Sequence, residues 1–201
     1  DMYDYLREHS EEYHRYVFIP YMFGTTYYGI QACPFKSILI PCLHDEGYAY
    51  FRHFRETFRD LRGMVFNARP EQELANQILD LRTVNQLLLG IGIETDFTYD
   101  ADRFRKKYGI NSPYIIYAGR KDEAKNINTL IKYFGEFRKR NQTELKLVLI
   151  GGGEVHVPDD IKNDVIDLGF VDIQDKYDAC AGALCLCQPS KNESFSIVIM
   201  E

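Results

Sequence analysis

Residues 114–140 read YIIYAGRKDEAKNINTLIKYFGEFRKR, and this stretch decides the fold class. Tyr114–Ala118 is an apolar run of strand length, rich in the aromatic and β-branched residues that suit a buried strand. Gly119 breaks the run, and a polar loop carries the chain to Asn126. From there to Arg140 the apolar residues return three and four apart, which predicts an amphipathic helix over Asn126–Arg140. Strand, glycine turn and helix make up the repeating unit of a parallel sheet.

The same rhythm extends in both directions. Apolar runs of strand length stand at Tyr16–Ile19, Ser37–Pro41, Gly63–Asn67 and Gln86–Leu89, and again at Leu145–Ile150, Val165–Leu168 and Ala183–Cys187. Helical patterns lie at Tyr48–Leu61, Pro70–Leu81, Asp100–Tyr108 and Ile173–Ala181. Buried strands alternating with helices of this length predict an α/β fold with parallel sheets covered on both faces. The periodicity breaks at Gly90–Tyr99, GIGIETDFTY, where two glycines and polar residues interrupt it. We therefore expect two domains, residues 1–95 and 96–201.

Composition narrows the function. The 201 residues are 45% hydrophobic and 27% charged, enough to fill a core in a soluble chain, and the net charge is −6. An acidic balance argues against a nucleic-acid binder, but a small anion responds to local cations and helix ends, so anionic ligands stay open. The five cysteines, Cys33, Cys42, Cys180, Cys185 and Cys187, have no metal-like spacing and are expected to be reduced, buried thiols. If Ala183–Cys187 is a strand, Cys185 and Cys187 share one of its faces. No apolar run approaches the roughly 20 residues needed to cross a bilayer and no signal peptide is read in these residues, so a cytoplasmic location is expected. The chain opens at Asp1 within a helix-like stretch and stops at Glu201 early in another, which leads us to expect a piece of a larger enzyme.

In a doubly wound sheet, ligands bind at the carboxyl ends of the strands. After Tyr114–Ala118, Gly119 permits a tight turn while Arg120 and Lys125 bring two cations towards a helix start. They would serve an anion there; the alternative is a solvated loop balanced by Asp122 and Glu123. After Leu145–Ile150, Gly151, Gly152 and Gly153 require close approach of the backbone to something, either a nucleotide or simply a turn. The third glycine of a dinucleotide fingerprint is missing, because position 156 is His156, which argues against NAD. After Ala183–Cys187 come Glu193 and Glu201, eight positions apart, one in a loop and one within an apolar helix. Such carboxylates suit sugar and ribose hydroxyls, or Glu193 is an ordinary helix N-terminal acid. After Ser37–Pro41, His44 is either a contact to the reacting group or structural.

Taken together, these stretches resemble the group 1 retaining glycosyltransferases of the GT-B fold, two Rossmann-like domains facing across a cleft. The likeness is carried by YAGRKDEAKNINTLI, LKLVLIGGGE and VIDLGFVDIQDKYDACAGALCLCQPSKNESFSIVIME, and above all by the E-x7-E of Glu193 and Glu201 following G-R-x4-K of Gly119, Arg120 and Lys125. Upstream, SILIPCLHDE and GMVFNARPEQEL resemble the second half of the acceptor-side domain, and GIGIETDF the hinge. Both domains are then incomplete, and the glycine-rich loop of the family's N-terminal portion is missing.

The resemblance implies roles. Arg120 and Lys125 would hold the donor diphosphate and stabilise its charge on departure. Glu193 would contact the transferred hexosyl group and Glu201 the ribose. Phe170, Val171 and Asp172 would border the base, and backbone at Ser196 and Ile197 would meet phosphate. His44 would face the donor sugar from the other domain. Ser196 departs from the family's usual glycine, and its Cβ would crowd that phosphate contact. The resemblance also implies catalysis with no metal and no cofactor beyond the nucleotide-sugar donor, with a glycan or lipid-linked saccharide as acceptor in polysaccharide biosynthesis. Rival readings are a GT-B sugar-nucleotide epimerase and a non-catalytic nucleotide-binding module. Arg52, Arg55, Arg59 and Arg62 recur at helical spacing beside Phe51, Phe54, Phe58 and Leu61. That stretch either docks peripherally on an anionic membrane surface, at its inner face, or packs its phenylalanines inward and wets its arginines.

Overall fold

The computed structural model describes residues 1–191, 193 and 195–201. By its contacts the chain divides into two compact units, Asp1–Gly92 with Glu193–Phe195, and Ile93–Asn192 with Ser196–Glu201. Each is built on its own parallel sheet, so the α/β class holds.

The first unit carries helices α1 (Met2–Glu8), α2 (Gly24–Ala32), α3 (Arg52–Phe58) and α4 (Arg69–Ile78). Its strands are β1 (Tyr16–Phe18), β2 (Ser37–Leu39), β3 (Gly63–Phe66) and β4 (Asn85–Leu88). The strands pair in chain order, all parallel, with Val17 opposite Ile38, Leu39 opposite Met64 and Met64 opposite Gln86. Leu39, Met64 and Phe66 pack with Ile30, Phe54, Phe58 and Ala75 from the helices in one core.

This unit holds one helix that the sequence did not signal and one reading that needs correction. Helix α2 carries no strong sequence signal, because its GTTYYGIQA run contains two glycines and two threonines and buries only Thr26, Gly29 and Ile30. Its Gly29 is demanded by packing: a Cβ there would lie 2.4 Å from the Phe18 ring. Tyr48–Leu61 is also not a single helix. A 3-10 turn over Gly47–Tyr50 and α3 are separated by an extended Phe51. Phe54, Phe58 and Leu61 are buried, whereas Phe51 is 53% exposed, so the inward stripe begins at Phe54. The arginines are exposed, and Arg52 donates to Glu56 at 2.6 Å. No helix among the described residues is long and apolar enough to cross a membrane.

The second unit carries α5 (Ala101–Tyr108), β5 (Tyr114–Ala118), α6 (Ile127–Arg140), β6 (Lys146–Ile150), β7 (Val165–Gly169), α7 (Ile173–Gly182) and α8 (Ile197–Met200). Helix α5 is locally determined at both ends. The Asp100 side chain caps the Asp102 and Arg103 amides, and Arg105, Lys106 and Lys107 favour the last turn. Gly109 closes it at φ 66°. Helix α6 buries Ile127, Ile131, Phe134 and Gly135, one face at helical spacing.

Strands β5, β6 and β7 run parallel, with Ile116 opposite Val148 and Val148 opposite Ile166. The pleat divides β5 and β6 between two cores. Tyr114, Ile116, Ala118, Val148 and Ile150 face Phe104 and Ala179, while Tyr117, Leu147 and Leu149 face Ile127, Ile131 and Phe134.

Ala183–Cys187 does not form the expected strand. The Leu184 amide donates to Tyr114 O at 2.8 Å, the Ile116 amide to Cys185 O at 3.0 Å, and the Cys187 amide to Ile116 O at 2.7 Å. These bonds lack the even spacing of a parallel ladder, and they leave a single bridge, Ile116 to Leu186. Because β6 takes one edge of β5, this segment lies along the other, and the strand order reverses between them. The cysteines correct a second expectation. All five are free, but only Cys33 is fully buried and Cys185 is exposed. Burial and the neighbouring Cys185 push the Cys187 thiol up to about 11.

Candidate functional site

The carboxyl ends of β5, β6 and β7 continue as three loops that travel together. The Gly119 amide donates to Ile150 O at 2.9 Å, the Lys121 amide to Gly152 O at 2.7 Å and the Gly151 amide to Gly169 O at 2.7 Å. The glycine run answers to this approach. Gly151 has φ +123°, and a Cβ on it would stand 2.0 Å from Gly119 O. Gly153 has φ +104°, and a Cβ there would stand 2.7 Å from Lys121 O. The backbone these glycines admit is therefore that of the adjacent loop. At Gly152 the missing side chain leaves room for the Phe170 ring, 2.5 Å from where a Cβ would be.

Beyond these loops lies a hollow of about 410 Å³. Gly119 and Arg120 form its wall after β5, Gly151 and Gly152 after β6, and Phe170 and Val171 after β7. Ile197 and Glu201 of the C-terminal segment complete it, with Lys176 from α7. Gly119, Arg120, Phe170, Val171, Ile197 and Glu201, all singled out in the sequence, thus share one cavity with Gly151 and Gly152. Phe170 is 85% exposed, a free aromatic face at the rim.

The charges are arranged unevenly. The Arg120 guanidinium is 73% exposed and 3.4 Å from Asp122 Oδ2, so its nearest counter-ion belongs to its own loop. The cation that this loop buries is Lys121, 5% exposed, whose ammonium donates to Asp167 Oδ1 at 2.5 Å. Lys125 is half-buried outside the wall of the hollow, and its backbone amide donates to Asp122 Oδ1 at 2.9 Å. Asn126, left-handed at φ 57°, then turns the chain into α6.

Glu201 is held from α7. Lys176 Nζ donates to its Oε2 at 2.5 Å, and the Tyr177 hydroxyl to its Oε1 at 3.5 Å. The glutamate side chain is 13% exposed and that of Lys176 20%. The lysine also lies 4.9 Å over the Tyr177 ring, which stacks on Phe97 at 3.7 Å. Lys176 was not visible as a site residue in the sequence. It sits mid-helix, and its partner comes 25 positions later.

The remaining candidates are not among the residues lining this hollow. Asp172 is exposed and precedes α7 without capping it through its side chain. Ser196 precedes α8, which is only four residues long, and its hydroxyl accepts from Gln188 at 3.2 Å. Glu193 is exposed. His44 belongs to the first unit, on the loop after β2. That loop is organised by a residue the sequence reading passed over, Glu71, 3% exposed in the first turn of α4. Its two oxygens accept from the Leu43 amide at 2.8 Å and the Asn67 amide at 2.7 Å, which ties the loops after β2 and β3 together. Burial, and then the Glu71 charge, push the nearby Cys42 thiol up. Among the described residues no three His, Cys, Asp or Glu side chains gather as metal ligands would.

The family described as glycosyl transferases group 1 matches residues 100–201. No curated protein matches in sequence. Among solved structures, a sucrose-phosphate synthase from Thermosynechococcus elongatus superposes with a TM-score of 0.76 at 14% identity. The match covers 98% of this chain and 56% of the synthase. Anabaena HepE, solved in complex with UDP and glucose, gives 0.74 at 15% identity, with 98% and 59% covered. WaaG, a glycosyltransferase involved in lipopolysaccharide biosynthesis, gives 0.70 at 16% identity, with 99% and 59% covered. The likeness is one of fold, and the chain spans a little over half the length of these structures.

Proposed function

Since the chain belongs to the group 1 glycosyltransferases and has their GT-B fold, we propose that it serves transfer of a hexosyl group from a nucleoside-diphosphate sugar to a glycan or lipid-linked saccharide, with retention of configuration. The observation that carries this reading is the hollow at the ends of β5, β6 and β7. There Arg120, the Phe170 face and the Glu201 carboxylate stand round one cavity. The three chemistries match the parts of a donor: a guanidinium for diphosphate, an aromatic rim for the base and a carboxylate for the ribose hydroxyls. Position at the end of a parallel sheet, where the strand order reverses, is where such a sheet receives ligands.

In this reading the bond from the sugar's anomeric carbon to the β-phosphate oxygen breaks while the acceptor oxygen bonds to that carbon from the same face. The acceptor's proton passes to the leaving phosphate. Arg120 stabilises the charge that develops on the diphosphate, and Lys125 assists. Glu193 engages the sugar hydroxyls, and His44 orients the substrates. Neither metal nor further cofactor is required, and the reaction takes place in the cytoplasm. Contact of the Arg52–Arg62 face with a membrane would serve a lipid-linked acceptor.

The test is product analysis with the full-length protein, given UDP-, GDP- and ADP-sugars with and without saccharide acceptors. We expect nucleoside diphosphate to be released only when an acceptor is present, with the new glycosidic bond keeping the donor's anomeric configuration by NMR. Conversion of the donor to its epimer without an acceptor would establish an epimerase instead.

A further inference from the structure

We propose that Lys176 is a positioning residue for donor recognition: it fixes the Glu201 carboxylate in the orientation that takes the vicinal hydroxyls of the ribose. This inference rests on the nucleotide-sugar reading above and adds to it a residue from a different element. The observation is a clamp. From adjacent positions on α7, Lys176 Nζ meets Oε2 at 2.5 Å and the Tyr177 hydroxyl meets Oε1 at 3.5 Å, so both carboxylate oxygens face α7 donors. Tyr177 is itself held by stacking on Phe97 at 3.7 Å and 7° between planes, and the Lys176 ammonium lies 4.9 Å from its ring centroid.

The surroundings explain why a clamp is needed. The hollow that Glu201 lines is also lined by apolar Val171, Ile173, Ile197 and Val198. A carboxylate only 13% exposed among such residues loses most of its hydration, and a cation at hydrogen-bond distance offsets that loss. Lys176, itself only 20% exposed and on the same hollow, is that cation. A carboxylate offers about four lone-pair directions. The lysine and tyrosine engage one on each oxygen, leaving the others for the two hydroxyls of one ribose. The geometry also separates the two cations of the hollow: Arg120, 73% exposed, is open to a diphosphate, while Lys176 is engaged with Glu201 at the nucleoside end.

The test is calorimetric titration of the full-length protein with whichever of UDP, GDP and ADP it binds, beside the 2′,3′-dideoxyribose form of the same nucleotide. Unsubstituted protein should prefer the ribose form by about tenfold or more, the scale of a hydrogen bond to a charged group. Lys176→Met should lower affinity for the ribose form and leave that for the dideoxy form within about twofold, so that the preference collapses. Lys176→Arg should restore most of it, and Lys176→Gln supplies a second uncharged variant should the methionine protein melt early. Equal weakening of both ligands, or an unchanged preference, overturns the inference while leaving the functional reading in place. Failure of the unsubstituted protein to bind any of the three nucleotides overturns both.

Discussion

At the scale of single residues, the glycines show how a local demand can be misassigned when only sequence is read. Three consecutive glycines after a buried strand say that backbone comes close; they do not say whose. In the structure Gly151 is pressed against Gly119 O, so its missing side chain makes room for the neighbouring loop. Gly151→Ala combines a clash at 2.0 Å with a φ of +123°. We expect it to lower stability by about 3 kcal/mol or more. Gly47→Ala, where a Cβ would meet nothing within 4 Å, should change stability by under about 0.5 kcal/mol. Denaturant midpoints of the two variants measure the contrast, and equal midpoints would remove the packing explanation.

The cations behave similarly. Arg120 and Lys125 were legible as a basic loop, and Glu201 as a carboxylate at an apolar helix. Lys121 as the buried member of its loop was not, nor were Lys176 and Glu71, because each is defined by a partner distant in sequence.

At the scale of elements, the second unit was the more readable. Strand β5 lies where the apolar run places it, and α5 carries capping signals at both ends. Helix α2 stayed hidden because tertiary packing against Phe18 holds it where its own propensity is weak. The Ala183–Cys187 run has strand composition, but register against β5 limits it to one bridge.

What joins α5 to α7 could not be seen in either helix alone. Asp178, fully buried, accepts from Arg103 Nε and Nη2 at 2.5 and 2.7 Å and from the Asp100 amide at 2.7 Å. The Arg103 guanidinium holds the Asp178 carboxyl below the usual carboxylate range. Its folded value is thus below that of an unfolded aspartate, about 3.9. Its stabilisation is complete above that pH and is lost as pH falls further, through the folded value. Asp178→Asn should therefore cost about 2 kcal/mol at pH 7 and flatten the loss of stability as pH falls below about 4. Urea denaturation across that range measures it, and parallel curves for both proteins would contradict the assignment.

At the scale of the whole molecule, the parallel-sheet α/β class was legible from the alternation of strands and helices. Charge works against the proposed ligand at this scale. A chain of net charge −6 repels a diphosphate at long range, so recognition has to come from cations within a few ångströms, inside the screening length of about 10 Å at 0.1 M salt. The proposed binding is therefore a property of one hollow and its near neighbours.

Calorimetric titration of UDP, GDP and ADP into the unsubstituted protein and its Arg120→Ala, Lys125→Ala and Glu193→Ala variants tests this claim most directly. We predict that one nucleotide binds, that Arg120→Ala and Lys125→Ala each weaken it by about tenfold or more, and that Glu193→Ala leaves it unchanged while damaging transfer. Indistinguishable affinities for all four proteins would contradict the account.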